Sequence, residues 1–226
     1  MRRIGVIIPA AGAGLRMGGV SKPLLELAGE PILARSLRPF LARTDVHWVV
    51  VALPAGAHAD PPPWLMADPR VTTVAGGTER SDSVRNALEA LPAECDVVLV
   101  HDAARPIVAS AVVERCIAAA VAGRSAVAAM PVTDTIKEVD EAGRVVATPD
   151  RRRLWAAQTP QAFPARTLRE AYRRAAAERV AATDDAALVA HYGATVIVVE
   201  GAAENLKVTT PVDLAVARAL LERSSS

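Results

Sequence analysis

Six short β-branched and apolar runs, at residues 4–8, 48–51, 71–74, 97–100, 126–132 and 196–199, punctuate this chain. Between most of them lie Ala- and Leu-rich stretches whose apolar residues recur at helical spacing, at 32–41, 83–91, 112–121 and 167–179. Strands that are apolar on both faces must be covered on both faces, and alternation with helices is how a parallel sheet achieves that. Right-handed crossovers then predict an α/β, Rossmann-like three-layer sandwich with a mostly parallel sheet. The 226 residues suit one such core, so a single domain over 1–226 is expected. Hydrophobic residues make up 51%, mostly Ala and Val, with 3% aromatics, a composition for helices on a buried sheet and not for a disordered chain.

One segment breaks the alternation. Residues 135–139 alternate, Asp140-Glu141-Ala142-Gly143 turns and 145–148 returns, which predicts an inserted β-hairpin. A lone two-stranded hairpin is marginal in water. Residues 133–152 are therefore read as a protruding β-arm for homodimerisation, with a local flap on the same subunit as the alternative. Elsewhere, Thr210-Pro211-Val212-Asp213 supplies a capping hydroxyl, a first-turn Pro and a first-turn acid, so the last helix should start there and run to about Glu222. Asp60-Pro61-Pro62-Pro63 reads as a stiff surface loop.

Charge and length exclude several classes. The net charge is +1 with no basic stripe, so no nucleic-acid partner is expected. No apolar stretch is long enough to span a bilayer, and the first run is too short for a signal segment and ends at Pro9. No membrane association and a cytoplasmic location follow. Cys95 and Cys116 lack ligand-like spacing and read as buried thiols in a reducing compartment.

The strongest local signal follows the first strand: Pro9-Ala10-Ala11-Gly12-Ala13-Gly14-Leu15-Arg16-Met17-Gly18-Gly19, then Ser21-Lys22-Pro23-Leu24. Small residues let main-chain N–H groups wrap an anion, and Arg16 and Lys22 set two positive charges beside that cradle. The spacing is that of neither a P-loop nor a dinucleotide fingerprint. A glycine-rich turn with two surface cations is the plain alternative. Downstream, Gly76-Gly77 with Arg80 and Ser83 offers backbone and hydroxyl groups able to read a base edge. Ser81-Asp82-Ser83 would also serve simply as a helix N-cap. Asp102 closes the fourth clear strand, where open α/β sheets place their ligand crevice. His101 beside it is expected only to pack.

Residues 10–17 with Lys22 resemble the signature of nucleotidyltransferases that activate sugars and alditol phosphates. Gly76-Gly77-Thr78-Glu79-Arg80-Ser81-Asp82-Ser83-Val84, His101-Asp102-Ala103-Ala104-Arg105-Pro106, Gln158-Thr159-Pro160-Gln161-Ala162-Phe163, Thr183-Asp184-Asp185-Ala186 and Asn205-Leu206-Lys207-Val208-Thr209 follow in the order of one family, the 2-C-methyl-D-erythritol 4-phosphate cytidylyltransferases. The resemblance covers nearly the whole chain. It departs at Lys22-Pro23-Leu24, where that family usually has Gln after its Lys-containing loop and the wider sugar nucleotidyltransferases have Lys-Pro-Leu.

The resemblance implies transfer of CMP from CTP to 2-C-methyl-D-erythritol 4-phosphate in isoprenoid precursor synthesis, with pyrophosphate released and Mg²⁺ as cofactor. It implies catalytic roles for Arg16, Lys22, Arg151 and Lys207. Substrate contacts fall on Ala10, Ala11, Gly12, Gly14, Gly77, Arg80, Ser83, Asp102, Arg105, Thr135 and Thr159, with Asp102 also the one candidate metal ligand. Thr135 and Arg151 bracket the arm and would serve the neighbouring subunit's site. Thr183-Asp184-Asp185 is explained by helix capping as well as by a metal. Two alternatives stay open: a sugar-1-phosphate nucleotidyltransferase, and a catalytically silent nucleotide-binding or scaffold protein on the same fold. A glycosyltransferase would carry Asp-x-Asp where this chain reads His101-Asp102-Ala103-Ala104.

Overall fold

The structure is a computed structural model that describes residues 2–12, 25–180 and 182–223. Gly14, Arg16 and Lys22 lie outside the described residues. In chain order the elements are β1 (Ile4–Pro9), β2 (Glu26–Leu27), β3 (Glu30–Pro31), α1 (Ile32–Leu41), β4 (Val46–Leu53), α2 (Ala55–Ala59), β5 (Val71–Ala75), α3 (Arg80–Ala90), β6 (Val97–Val100), α4 (Ser110–Val121) and β7 (Ser125–Pro131). They continue with β8 (Glu138–Val139), β9 (Val145–Ala147), β10 (Trp155–Pro164), α5 (Ala165–Glu178), α6 (Asp185–His191), β11 (Val196–Glu200) and α7 (Pro211–Arg223).

Seven strands form one sheet in the order β11-β7-β10-β6-β1-β4-β5, all parallel except β10, which runs antiparallel to both neighbours. The period-two alternation of the central strands divides the core. Ile4, Val6 and Ile8 of β1, Val49 and Val51 of β4 and Leu99 of β6 face α1 and α4 through Leu33, Leu37, Phe40, Val113 and Cys116. Ile7, Val50, Ala52, Val98 and Val100 face α3, α5 and α6 through Val84, Leu88, Leu168, Ala171 and Val189. These are the three layers and the mostly parallel sheet expected from the sequence. Cys95 and Cys116 are free and buried, as expected. Burial pushes the two thiols up to about 11 and about 12, which keeps them protonated.

Four local expectations are corrected. The strand β10, in the middle of the sheet, has no counterpart among the six runs read from the sequence. Its ladder to β7 shifts between Ala157 and Gln161, leaving Gln158, Thr159 and Pro160 opposite Ala128 alone. Polar residues and a proline without an N–H sit at that bulge, so the segment lacks the apolar signature of a central strand. Helix α3 starts at Arg80, three residues before the expected 83. Its N-cap is Glu79, in a reciprocal capping box with Asp82, and not the Ser81–Ser83 hydroxyls. The hairpin ladder is limited to β8 and β9, shorter than the runs 135–139 and 145–148. Asp140 accepts the N–H groups of Ala142 and Arg144 and so closes its turn. Residues 206–209, expected to be strand-like, belong to no ladder; a Val208 N–H to Ala104 carbonyl bond of 2.8 Å and the packing of Leu206 and Val208 against Leu27, Ile32 and Ala217 hold them to the core.

Helix α7 starts as expected, with Thr210 Oγ1 accepting the Asp213 N–H while the Asp213 carboxylate takes Thr209 and Thr210. The ring of Phe163 on β10 is fully buried between β6 and the α3/α5 layer. Phe163→Ala is expected to lower the free energy of unfolding by about 3–5 kcal/mol, read from urea denaturation.

Candidate active site

The strand order reverses direction at β1: the chain moves from β1 out to β4 and β5, then returns to β6 on the other side. The crevice of such a sheet lies beyond the carboxyl ends at that point. Ala10 and Ala11 extend from β1 there, and His101 and Asp102 extend from β6. The turn after β5 closes the crevice. Ala10 N–H donates to the Ala52 carbonyl at 2.8 Å and Gly76 N–H to the Leu53 carbonyl at 2.7 Å. A Cβ on Gly76 would lie 2.2 Å from the Ala11 Cβ, so this approach of two loops requires glycine. The Ser83 hydroxyl, buried at the start of α3, accepts the Gly77 N–H at 3.2 Å and donates to the Glu79 carbonyl at 3.3 Å. It braces the Gly76-Gly77 turn from beneath.

At the end of β6 the Asp102 carboxylate is surrounded by three cations. Arg80 Nε donates to Oδ1 at 3.1 Å, Lys207 Nζ stands 2.9 Å from Oδ2, and Arg105 Nε is 3.6 Å from Oδ2. The Arg105 distance is that of an ion pair and too long for a hydrogen bond, and that Nε has no hydrogen-bond partner. Burial by itself would raise the Asp102 carboxyl. The charges of Arg80, Lys207 and Arg105 overcome it and hold the group ionised well below the usual carboxylate range. Arg80 in turn reaches Asp185 with Nη1 at 2.8 Å, and Tyr172 donates its hydroxyl to the other Asp185 oxygen at 2.5 Å. Burial opposes the Arg80 charge, and Asp185 and Asp102 together more than restore it. Lys207 keeps 43% of its side chain exposed while its ammonium stays on Asp102.

Comparison with known proteins shows the family of the chain that carries this crevice. The family model described as 2-C-methyl-D-erythritol 4-phosphate cytidylyltransferase matches residues 4–223. The chain belongs to that family. A relative of that name from Symbiobacterium thermophilum is 46% identical over 98% of this chain and 94% of its own length, and one from Synechococcus sp. is 43% identical over 96% of each. The crystal structure of the Thermus thermophilus protein of that name superposes with a TM-score of 0.83 at 37% identity, covering 97% of this chain and 99% of that one. A 4-diphosphocytidyl-2C-methyl-D-erythritol synthase from Anaerococcus prevotii gives a TM-score of 0.87 at 29% identity, covering 98% and 97%.

Within this cytidylyltransferase framework the structure gathers Ala10, Ala11, Gly77, Arg80, Ser83, Asp102, Arg105, Thr159 and Lys207 at one end of the sheet. Some face inward. Thr159 is buried and its hydroxyl accepts the Asp102 N–H at 2.9 Å, while Arg105 donates to the Asn205 carbonyl at 2.7 Å. Burial lowers the Arg105 guanidinium, and Asp102 offsets part of that. Gly12 is exposed at the crevice edge. Thr135 and Arg151 are exposed at the base of the arm, where Arg151 donates to the Thr133 carbonyl.

The sequence reading missed Tyr172, gave Gln158 and Gln161 no role of their own, and took Asp185 only as a capping or metal-binding candidate, not as the partner of Arg80 and Tyr172. Gln158 and Thr159 leave the β10 ladder at the bulge and turn toward the site. Gln158 binds the Ala202 carbonyl, and Asn205 Nδ2 donates to Gln158 Oε1 and to the Thr159 carbonyl, which fixes the segment carrying Lys207. Gln161 bonds Asp184 and the Ala186 N–H and so seats the start of α6 on β10. Asp184 caps α6 through the Ala187 N–H, as the capping reading of Thr183-Asp184-Asp185 expected. Among the described residues no group of three or more His, Cys, Asp or Glu side chains is placed to hold a metal ion. A cavity of about 510 Å³ lined by Arg80, Tyr172, Asp184 and Asp185 adjoins the cluster. A larger one of about 730 Å³, lined by Cys95, Arg166 and Arg169, opens at the opposite end of the sheet and shares none of these residues.

His101 packs as expected. It is fully buried, its ring 5.1 Å from that of Phe40, and burial pushes it down to about 4. Nε2 lies 3.1 Å from the Arg105 carbonyl, which can only accept, so the neutral ring carries its proton on Nε2 and Nδ1 accepts the Thr159 hydroxyl. The unfolded chain binds a proton on this residue near 6.5 and the folded one only near 4. Its stabilising contribution is therefore complete above pH 6.5 and lost as pH falls towards 4. Urea unfolding should show a decline from this residue of about 1.4 kcal/mol per pH unit between about pH 6.5 and about pH 5. His101→Gln, which keeps a donor and an acceptor, should remove that part of the slope.

Proposed function

We propose that this chain transfers CMP from CTP to 2-C-methyl-D-erythritol 4-phosphate, giving 4-diphosphocytidyl-2-C-methyl-D-erythritol and pyrophosphate in isoprenoid precursor synthesis. The observation that carries the reading is the Asp102 cluster, which holds Arg80, Arg105 and Lys207 together at the carboxyl ends of β1 and β6 in a chain of this family. The attacking group is a phosphate monoester oxygen, largely ionised near neutral pH, so no general base is required. It forms a bond to the α-phosphorus of CTP as the bond to the bridging oxygen breaks, and the electron pair leaves with pyrophosphate. Charge grows on the equatorial and leaving oxygens, so the protein contributes position and fixed positive charge.

Lys207, pinned by Asp102 and partly exposed, supplies one such charge. Arg16 and Lys22, which follow Gly12 in the sequence, are assigned the triphosphate. The turn at Gly76-Gly77, braced by Ser83, takes the base, and Ala10, Ala11, Gly12 and Gly14 the main-chain contacts to the nucleotide. Arg105 and Thr159 support the second substrate's pocket from beneath. Mg²⁺, when bound, neutralises and orients the triphosphate. The donor set fits an ion held mainly by substrate oxygens and water, with Asp102 the candidate carboxylate among the described residues.

The arm favours a homodimer. Ile136, Val139, Val145, Val146 and Trp155 are exposed on or beside a two-stranded ladder, an apolar surface that association would cover. Thr135 and Arg151 would then complete the neighbouring subunit's site. We place the protein in the cytoplasm on its two free buried thiols; no helix among the described residues is long and apolar enough to cross a membrane.

The deciding experiment is pyrophosphate release with Mg²⁺ and 2-C-methyl-D-erythritol 4-phosphate, comparing CTP with ATP, GTP and UTP. Release with CTP alone is expected. Release only with another nucleotide and a sugar 1-phosphate would make Lys22-Pro23-Leu24 the better guide. Lys207→Ala should lower turnover about 100- to 1,000-fold in the same assay while leaving the fold intact, since Arg80 and Arg105 still face Asp102. Mixing Arg151→Ala with Lys22→Ala chains should restore activity in heterodimers. Absence of rescue, with subunit exchange verified, would place the whole site within one chain.

A further inference from the structure

The carboxylate of Asp185 reaches the buried edge of the cluster from helix α6. Helix α6 begins at Asp185 on the side of the sheet covered by α3 and α5. The Asp185 side chain is fully buried, and its two oxygens have different partners, Tyr172 Oη from α5 at 2.5 Å and Arg80 Nη1 from α3 at 2.8 Å. Arg80 uses the opposite edge of its guanidinium, Nε, on Asp102. Charges thus alternate inward from the crevice: Lys207, Asp102, Arg80, Asp185, and finally the Tyr172 hydroxyl. Neither Asp185 nor Tyr172 is positioned to touch a substrate bound beyond Asp102.

An arginine pulled from both edges by two carboxylates has its plane fixed. If one carboxylate is lost, the guanidinium is free to turn and engage the other with both nitrogens. On Asp102 that rearrangement would bring Arg80 against Oδ2, the oxygen that holds Lys207 at 2.9 Å. The Tyr172 hydroxyl occupies the second Asp185 oxygen, so Arg80 finds one acceptor there and not two. We infer that Asp185 and Tyr172 are positioning residues for the reaction, acting through Arg80 to leave Asp102 Oδ2 to Lys207. This inference rests on the transfer reaction proposed above. It adds to it two residues that lie outside the crevice and belong to α5 and α6.

The link through Arg80 makes the inference testable by a double-mutant cycle on purified full-length protein, with pyrophosphate release as the assay. Asp185→Asn is nearly isosteric and removes the charge that holds Arg80. It should lower kcat/KM by about 10- to 100-fold, less than the roughly 100- to 1,000-fold lost with a preorganised donor itself, because Arg80 stays in the site. Asp185→Glu should recover part of that loss. In an Arg80→Ala background, Asp185→Asn should have no further effect beyond about twofold, because the residue it acts through is gone. Tyr172→Phe keeps the buried ring and loses only the hydroxyl, so it serves if Asp185→Asn fails to fold. It should lower kcat/KM about threefold to tenfold, again only when Arg80 is present.

A residue that merely stabilises the fold would lower melting temperature and show the same loss with or without Arg80. Multiplicative losses, or unchanged kcat/KM in folded Asp185→Asn or Tyr172→Phe, would overturn the inference. A wild-type protein with no CTP-dependent release would instead overturn the proposed reaction, so the two failures are distinguishable.

Discussion

Asp102 is the charge around which the crevice is arranged. Three cations from α3, from the turn after β6 and from the segment before α7 converge on it, and like charges at that density would repel one another without a shared counter-ion. A carboxylate buried this far would favour its neutral form if isolated. With three cations around it, it remains ionised, and each cation gains a fixed position in return. The helices and loops that bring Arg80, Arg105 and Lys207 inward are thereby fastened to the end of β6. Without the carboxylate, Lys207 would lose this anchor, while Arg80 would keep Asp185 and Arg105 the Asn205 carbonyl.

Apart from the Arg105 bond to the Asn205 carbonyl, the backbone beneath this cluster is held mainly by neutral hydrogen bonds. His101 and Thr159 join β6 to β10, while Gln158 and Asn205 join β10 to the Lys207 segment. A neutral network can be buried at low cost if its donors and acceptors are matched. The bulge in β10 supplies much of that matching, because it turns Gln158 and Thr159 out of the sheet ladder towards partners on other elements; the Asn205 Oδ1 alone in this network has no partner among the described residues. The site is therefore rigid where it is polar and uncharged, and its charges sit on that rigid base.

Much of this was legible in the sequence, for identifiable reasons. Central strands buried on both faces must be apolar throughout, so Ile4–Pro9 and Val97–Val100 announce themselves. The capping signals around Thr210 are local, and so is the turn at Asp140. Strand β10 was hidden because its function required Gln158, Thr159 and Pro160 at the point where a strand signature requires apolar residues. Asp185 was hidden differently. Its role depends on Arg80, over one hundred positions earlier, and on Tyr172 from another helix, and no spacing in the chain expresses that convergence. Lys207 stood out only through its neighbours Asn205, Val208 and Thr209, since an isolated lysine before a helix has many ordinary explanations.

The single antiparallel strand has a consequence for where the molecule can be approached. Because β7 runs with β6, its last residue, Pro131, emerges at the same end of the sheet as Asp102, and β10 begins at that end with Trp155 paired to Pro131. The whole excursion between them, arm included, leaves and re-enters the domain at the rim of the crevice. A partner that covered the arm would do so beside the crevice. Anchorage and admission would then share one pole of the molecule, and the far pole, with the amino ends of the parallel strands, would be left free of both.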